Sequence, residues 1–171
     1  MDELKKYIRD VPDFPKPGIV FKDITPILQN GEVFNQVIKK LAERYQSREI
    51  DRIVGIESRG FIFGAPLAYA LQKGFILVRK NGKLPWKTVK WDYELEYGTD
   101  TIEMHQDAIE KGDKILIVDD LLATGGTALA TSQLIEKMGG KVAECAFVVE
   151  LEFLNGRKKL EGKEIFSLVK F

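Results

Sequence analysis

The chain has 171 residues, room for one domain around one core and too few for a second full domain. Its 26 Lys and Arg balance 26 Asp and Glu, so no net field draws it toward nucleic acid, and no block of like charge marks an interaction tail. The opening stretch MDELKKYIRD lacks the apolar core of a signal peptide, and no apolar run approaches the roughly 20 residues that span a bilayer; a cytoplasmic chain with no membrane or nucleic-acid partner is expected.

The first distinctive segment is VPDFPKPGIVFKDITP, residues 11–26. Three prolines around Phe14 and Gly18 leave the backbone few conformations to lose, which suits a rigid hood, residues 12–30, over a flat ligand. Residues 32–45 then place Val33, Phe34, Val37, Ile38, Leu41, Ala42 and Tyr45 at spacings of three and four, an amphipathic helix. DRIVGIE is a short strand, RGFIFGAPLAYAL a helix ending near Gly74, where a left-handed cap is expected, and FILVR the next strand.

Residues 81–104 do not fit this repeat. They carry Gly82, Pro85, Gly98 and many polar groups, and read as a long mobile loop region of the kind that is usually functional or disordered. KGDK is a turn into the strand KILIVDD, TALATSQLIEKM a helix stopped by Gly139 and Gly140, KVAECAFVVEL a strand, and EIFSLVKF the last one. Apolar strands alternating with helices predict an α/β domain, a central mostly parallel sheet covered on both faces. Ligands in such sheets sit beyond the carboxyl ends of the strands. The single cysteine, Cys145, excludes an intrachain disulfide or a multi-thiolate metal site and reads as a buried strand thiol. His105, the only histidine, has no partner motif, and Trp86 and Trp91 read as packing or subunit contacts.

The stretch LIVDDLLATGGT, residues 116–127, carries the chemistry. Its strand ends at Asp119 and Asp120, and Gly125 and Gly126 let the backbone approach a ligand without a Cβ in the way. Thr124 and Thr127 place hydroxyls beside the amides that open the next helix, where unpaired N–H groups and the helix dipole favour a phosphate. Paired carboxylates above a phosphate cradle can accept hydrogen bonds from sugar hydroxyls, so the stretch reads as a ribose 5-phosphate site. An ordinary strand-to-helix turn with a solvated acidic pair is the alternative. No Gly-Lys-Ser/Thr follows and no G-x-G-x-x-G occurs, which sets aside Walker and dinucleotide-binding folds.

ILIVDDLLATGGT resembles the phosphoribosyl-diphosphate (PRPP) signature of type I phosphoribosyltransferases. PDFPKPGIVFKDITP, GIESRGFIFGAPLA, VRKNGKLP and YELEYGTD resemble the adenine-specific branch of that family, and the likeness runs from residue 12 to residue 169, roughly. The resemblance implies a hood and a long flexible loop on the α/β sheet, and a reaction that joins adenine to PRPP, giving AMP and diphosphate in purine salvage. It implies that Ala123, Thr124, Gly125, Gly126 and Thr127 take the 5-phosphate, while Asp119 and Asp120 hold the ribose hydroxyls and face the developing cation. Ser58 and Arg59 would meet the diphosphate, with a non-proline cis bond between Glu57 and Ser58.

Part of the Arg79, Lys80 and Lys83 patch would reach the neighbouring subunit's diphosphate, which implies a homodimer. The backbone of Val20 would read the adenine edge, and the ring of Phe21 would stack on its face. Glu96 would move the proton, with Tyr97 beside it on the closing loop; spacing alone does not separate Glu96 from Glu94 or Glu103. Mg2+ is implied by the diphosphate, without a metal motif of its own. Two other readings stand beside this one: a xanthine or other 6-oxopurine phosphoribosyltransferase, and a PRPP-binding regulator of the same fold.

Overall fold

A computed structural model of the chain describes residues 2–94 and 98–171. The elements in chain order are α1 (Asp2–Lys5), β1 (Arg9–Pro12), β2 (Val20–Asp23), α2 (Thr25–Gln29), α3 (Gly31–Tyr45), β3 (Arg52–Ile56), α4 (Arg59–Leu71) and β4 (Gly74–Lys80). There follow β5 (Thr88–Glu94), β6 (Thr99–His105), β7 (Lys114–Leu122), α5 (Gly126–Lys137), β8 (Lys141–Glu150), a short 3-10 turn, α6 (Gly156–Lys159) and β9 (Ile165–Lys170). The amphipathic helix starts where the Asn30 side chain accepts the backbone N–H groups of Glu32 and Val33, and it buries Val33, Val37, Leu41 and Tyr45.

The main sheet has the order β5-β6-β4-β3-β7-β8-β9. The five strands from β4 to β9 are mutually parallel, and β6 and β5 are antiparallel additions at one edge. Both faces of the parallel part are covered, as its unbroken apolar strands require. One face packs Ile53, Leu116 and Val148 against Leu41 of α3 and Phe63 and Leu67 of α4. The other packs Val54, Ile117 and Phe147 against Leu134 and Ile135 of α5. Cys145 lies in this second layer, fully buried, and burial pushes its thiol up to about 12. From β3 the chain goes to β4 on one side and returns as β7 on the other. That reversal opens a crevice at the carboxyl ends of β3 and β7, where α/β sheets bind ligands.

Two expectations need correction. Residues 81–104 are not a plain loop: β5 and β6 form an antiparallel hairpin, joined to the end of β4 through Arg79 and Lys80 opposite Glu103 and Ile102. Val89, Trp91 and Tyr93 alternate along β5 and pack onto the α5 side of the core, a period-two signal masked by the flanking glycines and proline. The left-handed cap of α4 is Gln72 (φ 54°), not Gly74. Gly74 already pairs with Arg52 as the first residue of β4, so the reversal has to come earlier. The proline-rich head is built on the antiparallel ribbon β1-β2, with a cis bond at Phe14–Pro15 and the Asp13 carboxylate accepting the Gly18 N–H at 2.7 Å. No described helix is long and apolar enough to cross a membrane.

The start of α4 lies directly on the end of β7. A Cβ on Gly60 would sit 2.8 Å from both the Val118 carbonyl oxygen and Asp119 Oδ1. The obstacles are strand backbone and a short acid side chain tied to the Asp120 N–H, neither of which can swing aside. Gly60→Ala is therefore predicted to cost about 1–3 kcal/mol by overpacking, read as a fall of several degrees in the thermal unfolding midpoint; an unchanged midpoint would show that α4 is not held this tightly.

Candidate active site

The crevice collects side chains from several elements. At the end of β7, Asp120 is 4 % exposed and Asp119 half-buried, and Asp119 Oδ1 accepts the Asp120 N–H at 2.9 Å. Arg59, the first residue of α4, sets its Nε 3.0 Å from Asp120 Oδ2. The pair is out of line for a hydrogen bond, so this buried oxygen faces a cation while its acceptor capacity is unused among the described residues. The same guanidinium lies 5.1 Å from the centre of the Phe21 ring, whose edge-on neighbour is Phe14 at 5.2 Å. Arg59 thus links the hood to the sheet.

Burial raises the pKa of Asp119 well above the carboxyl norm, and the adjacent Asp120 charge adds to it. Asp120 is also raised by burial, with Arg59 pulling the other way. Two adjacent acids therefore share one cation, an arrangement that favours a further donor or positive charge in the crevice.

Beyond Leu122 the chain turns through residues 123–125 into α5. Gly125 occupies the N-cap position at φ 80° with no side-chain cap, and the first turn holds no acid. The opening amides are left for an anion. A cavity of about 90 Å³ here is lined by Asp119, Ala123, Thr124, Gly125, Gly126 and Thr127, with others. The two glycines have different reasons. A Cβ on Gly125 would lie 2.5 Å from the Gly156 carbonyl oxygen, so its bareness and its positive φ serve contact with another part of the chain. One on Gly126 would meet nothing within 4 Å, which leaves the space before it open.

At the ends of β3 and β4, the Glu57–Ser58 bond is cis, as the resemblance implies, and Ser58 is exposed at the start of α4. Arg79 grips both oxygens of Glu57, at 3.1 and 3.0 Å, and donates to the Lys83 carbonyl at 3.0 Å. The Lys80 N–H also donates to Glu57, at 3.0 Å. The Arg79 hydrogen bond, against a smaller opposing effect of burial, holds the Glu57 carboxyl below its usual range. Lys80 Nζ is engaged by Asp100 at 2.8 Å. Of the basic patch, Lys83 alone is an exposed side chain with no hydrogen bond or ion pair among the described residues.

Glu103, an alternative to Glu96 on spacing, is a buried anchor: it accepts the N–H groups of Lys83 and Leu84 at 2.9 and 3.0 Å and the Thr88 hydroxyl at 3.2 Å. Its lone pairs hold the base of the hairpin. Glu96 and Tyr97 lie outside the described residues. Val20 is 47 % exposed on β2, next to Phe21. Sequence reasoning missed Tyr93, whose hydroxyl lies 3.3 Å from Asp100 Oδ2 and 3.4 Å from Thr127 Oγ1, docking the hairpin beside the start of α5. The alternation along β5 was the signal that could have found it. A second cavity, of about 180 Å³, lies between the strand ends and the hairpin, lined by Glu57, Arg79, Lys80, Tyr93, Asp100 and Thr127, among others. A further one, of about 270 Å³, sits elsewhere, among Glu3, Tyr7, Asn30, Lys40 and Leu168, with no converging set of donors.

The chain is similar to known proteins over its whole length. The phosphoribosyl transferase domain family matches residues 23–168. An adenine phosphoribosyltransferase of Geotalea uraniireducens is 57 % identical over 171 residues, all of both chains. The crystal structure of adenine phosphoribosyltransferase from Thermoanaerobacter pseudethanolicus superposes with a TM-score of 0.96 at 55 % identity, covering 99 % of each chain. The Saccharomyces cerevisiae enzyme, complexed with D-2,5-dideoxy-2,5-imino-altritol 1,6-bisphosphate and adenine, gives 0.92 at 45 % identity, covering 98 % of this chain and 97 % of its own. The chain belongs to the phosphoribosyl transferase family and, within it, to the adenine phosphoribosyltransferases.

Proposed function

We propose that the crevice at the ends of β3, β4 and β7 transfers the phosphoribosyl group of PRPP to adenine, giving AMP and diphosphate in purine salvage. The observation that carries this reading is the acid pair, Asp120 buried and Asp119 half-buried, set beside an uncapped helix start at the sheet's reversal point. The yeast relative, which binds adenine together with a sugar-like bisphosphate, supports the pairing of ligands.

The amides and hydroxyls of Ala123, Thr124, Gly125, Gly126 and Thr127 hold the 5-phosphate. Asp119 and Asp120 accept the ribose hydroxyls; the unused oxygen of Asp120 is suited to this. As the bond from C1 to the diphosphate breaks, its electron pair leaves with the diphosphate, and the sugar carbon becomes cationic. Fixed carboxylates are worth most at that moment, since they need no reorganisation. Ser58 and Arg59, at the start of α4, receive the departing diphosphate. Glu96, with Tyr97 beside it, takes the proton from the attacking purine nitrogen. The identification of Glu96 gains from Glu103 being fully occupied.

Among the described residues no group of three or more acids, histidines or cysteines could cage a metal. Magnesium would be carried mainly by the diphosphate, with Asp119 and Asp120 the acids available in the crevice, and it would neutralise leaving-group charge. The hood selects the base. Phe21 stacks on adenine, and the Val20 backbone offers an N–H and C=O pair that matches an amino edge but leaves unpaired groups against a 6-oxo edge. Arg79 and Lys80 shape the wall of the diphosphate side. Lys83 is the one of the three suited to reach a partner subunit, and half-exposed or exposed apolar groups on the α4 side, Leu77 and Tyr69, support a homodimer through that face. The cytoplasm is the proposed location.

Incubated with PRPP, magnesium and each purine base, the protein is expected to consume adenine at least about 10²-fold faster in kcat/KM than hypoxanthine, guanine or xanthine; preference for a 6-oxopurine would overturn the assignment. Asp119→Asn removes one of two repelling buried charges yet keeps an acceptor for the Asp120 N–H. It is predicted to lower kcat by roughly 10²-fold and to raise the unfolding midpoint by about 2–4 °C. A lower midpoint with unchanged kcat would contradict both the electrostatics and the role.

A further inference from the structure

We infer that Arg157, held in place by Glu150, is a positioning residue for the phosphate cradle although it lines no part of it. The inference rests on residues 123–127 being that cradle. Glu150 ends β8, buried to 2 % exposure and level with Leu122, the last residue of β7. The Arg157 guanidinium grips it with both arms, Nε to Oε1 at 2.5 Å and Nη2 to Oε2 at 2.7 Å. The Ser167 hydroxyl adds a third bond at 2.7 Å. Burial works against the Glu150 charge, but Arg157 and Ser167 outweigh it and hold the carboxyl below its ordinary value.

This fork fixes the residue before it. Gly156 lies flush on the cradle loop: a Cβ there would collide with the Ala123 carbonyl oxygen and stand 3.0 Å from Leu122 Cδ1, and a Cβ on Gly125 would meet the Gly156 carbonyl. The two segments touch backbone to backbone, with no side chain between them to absorb a shift. The Leu151 N–H, bonded to the Leu122 carbonyl at 2.9 Å, ties the same two stretches one step earlier. A displacement of Gly156 must therefore move residues 123–125, and these aim the first amides of α5. Glu150 and Arg157 neutralise each other, so the contribution to phosphate binding is placement rather than charge. Lysine cannot reproduce it, because one ammonium lacks the planar fork that meets two carboxylate oxygens.

The test compares Arg157→Lys with Gly126→Asp in steady-state kinetics, alongside thermal unfolding. Gly126→Asp adds a carboxylate at the open mouth of the cradle, where the start of a helix tolerates it. Arg157→Lys is expected to raise KM for PRPP about tenfold, within the range that ångström-scale misplacement produces. It should leave kcat at saturating PRPP within about twofold of the starting protein and KM for adenine unchanged, a split that general loss of stability would not produce. Should Arg157→Lys fail to fold, Ser167→Ala removes one bond to Glu150 and is expected to raise KM for PRPP by a smaller factor, about twofold to threefold. A large rise in KM for PRPP with Gly126→Asp, but none with Arg157→Lys (or with Ser167→Ala in its place), would overturn the positioning role alone. No rise with Gly126→Asp would overturn the cradle, and this inference with it.

Discussion

Two backbone contacts too close for any side chain hold the end of β7 from opposite sides. On one side Gly60 brings the start of α4 against Val118 and Asp119; on the other Gly156 lies against Ala123 and Gly125. Close packing of this kind transmits a shift rather than absorbing it. The first contact fixes where Arg59 stands relative to the acid pair, and the second fixes where the turn into α5 points. Without either, the acids and the open amides would still be present but not in register with each other.

Within that frame the site is electrostatically unfinished. Asp120 is buried and Asp119 half-buried, with Arg59 as the cation beside them, and one oxygen of Asp120 has no hydrogen bond among the described residues. Such a grouping costs folding free energy and is relieved by a ligand that brings hydroxyl donors and then positive charge. The surrounding charges behave differently. Glu57 with Arg79 and Lys80, Asp100 with Lys80, and Glu150 with Arg157 are matched pairs that set the walls. Among these acids the imbalance lies at Asp119 and Asp120.

The sequence made much of this legible. Unbroken apolar strands require cover on both faces, so the parallel sheet followed from composition, and the acid-to-glycine turn announced the crevice because strand end, turn and helix start are contiguous in the chain. The cis bond at Glu57–Ser58 came through family resemblance. What stayed hidden depends on distant residues. The partner of Gly125 is 31 positions away at Gly156, and no local pattern marks it. Glu103 looked like a competitor to Glu96 until the hairpin folded its base onto that carboxylate. Polar strands at a sheet edge read as loop, because glycine and proline at their ends outweigh a short alternation. The cap at Gln72 instead of Gly74 was decided by the register of β4 against β3.

The central claim is that main-chain amides at the start of α5 grip a sugar monophosphate beneath the acid pair. A crystal structure of the protein with AMP and diphosphate tests it most directly. The account predicts the nucleotide phosphate at hydrogen-bond distance, about 3 Å, from the amides of residues 124–127, with the ribose hydroxyls on Asp119 and Asp120 and the base against Phe21. A nucleotide seated in the cavity among Tyr7, Asn30 and Lys40, with the start of α5 empty, would contradict it.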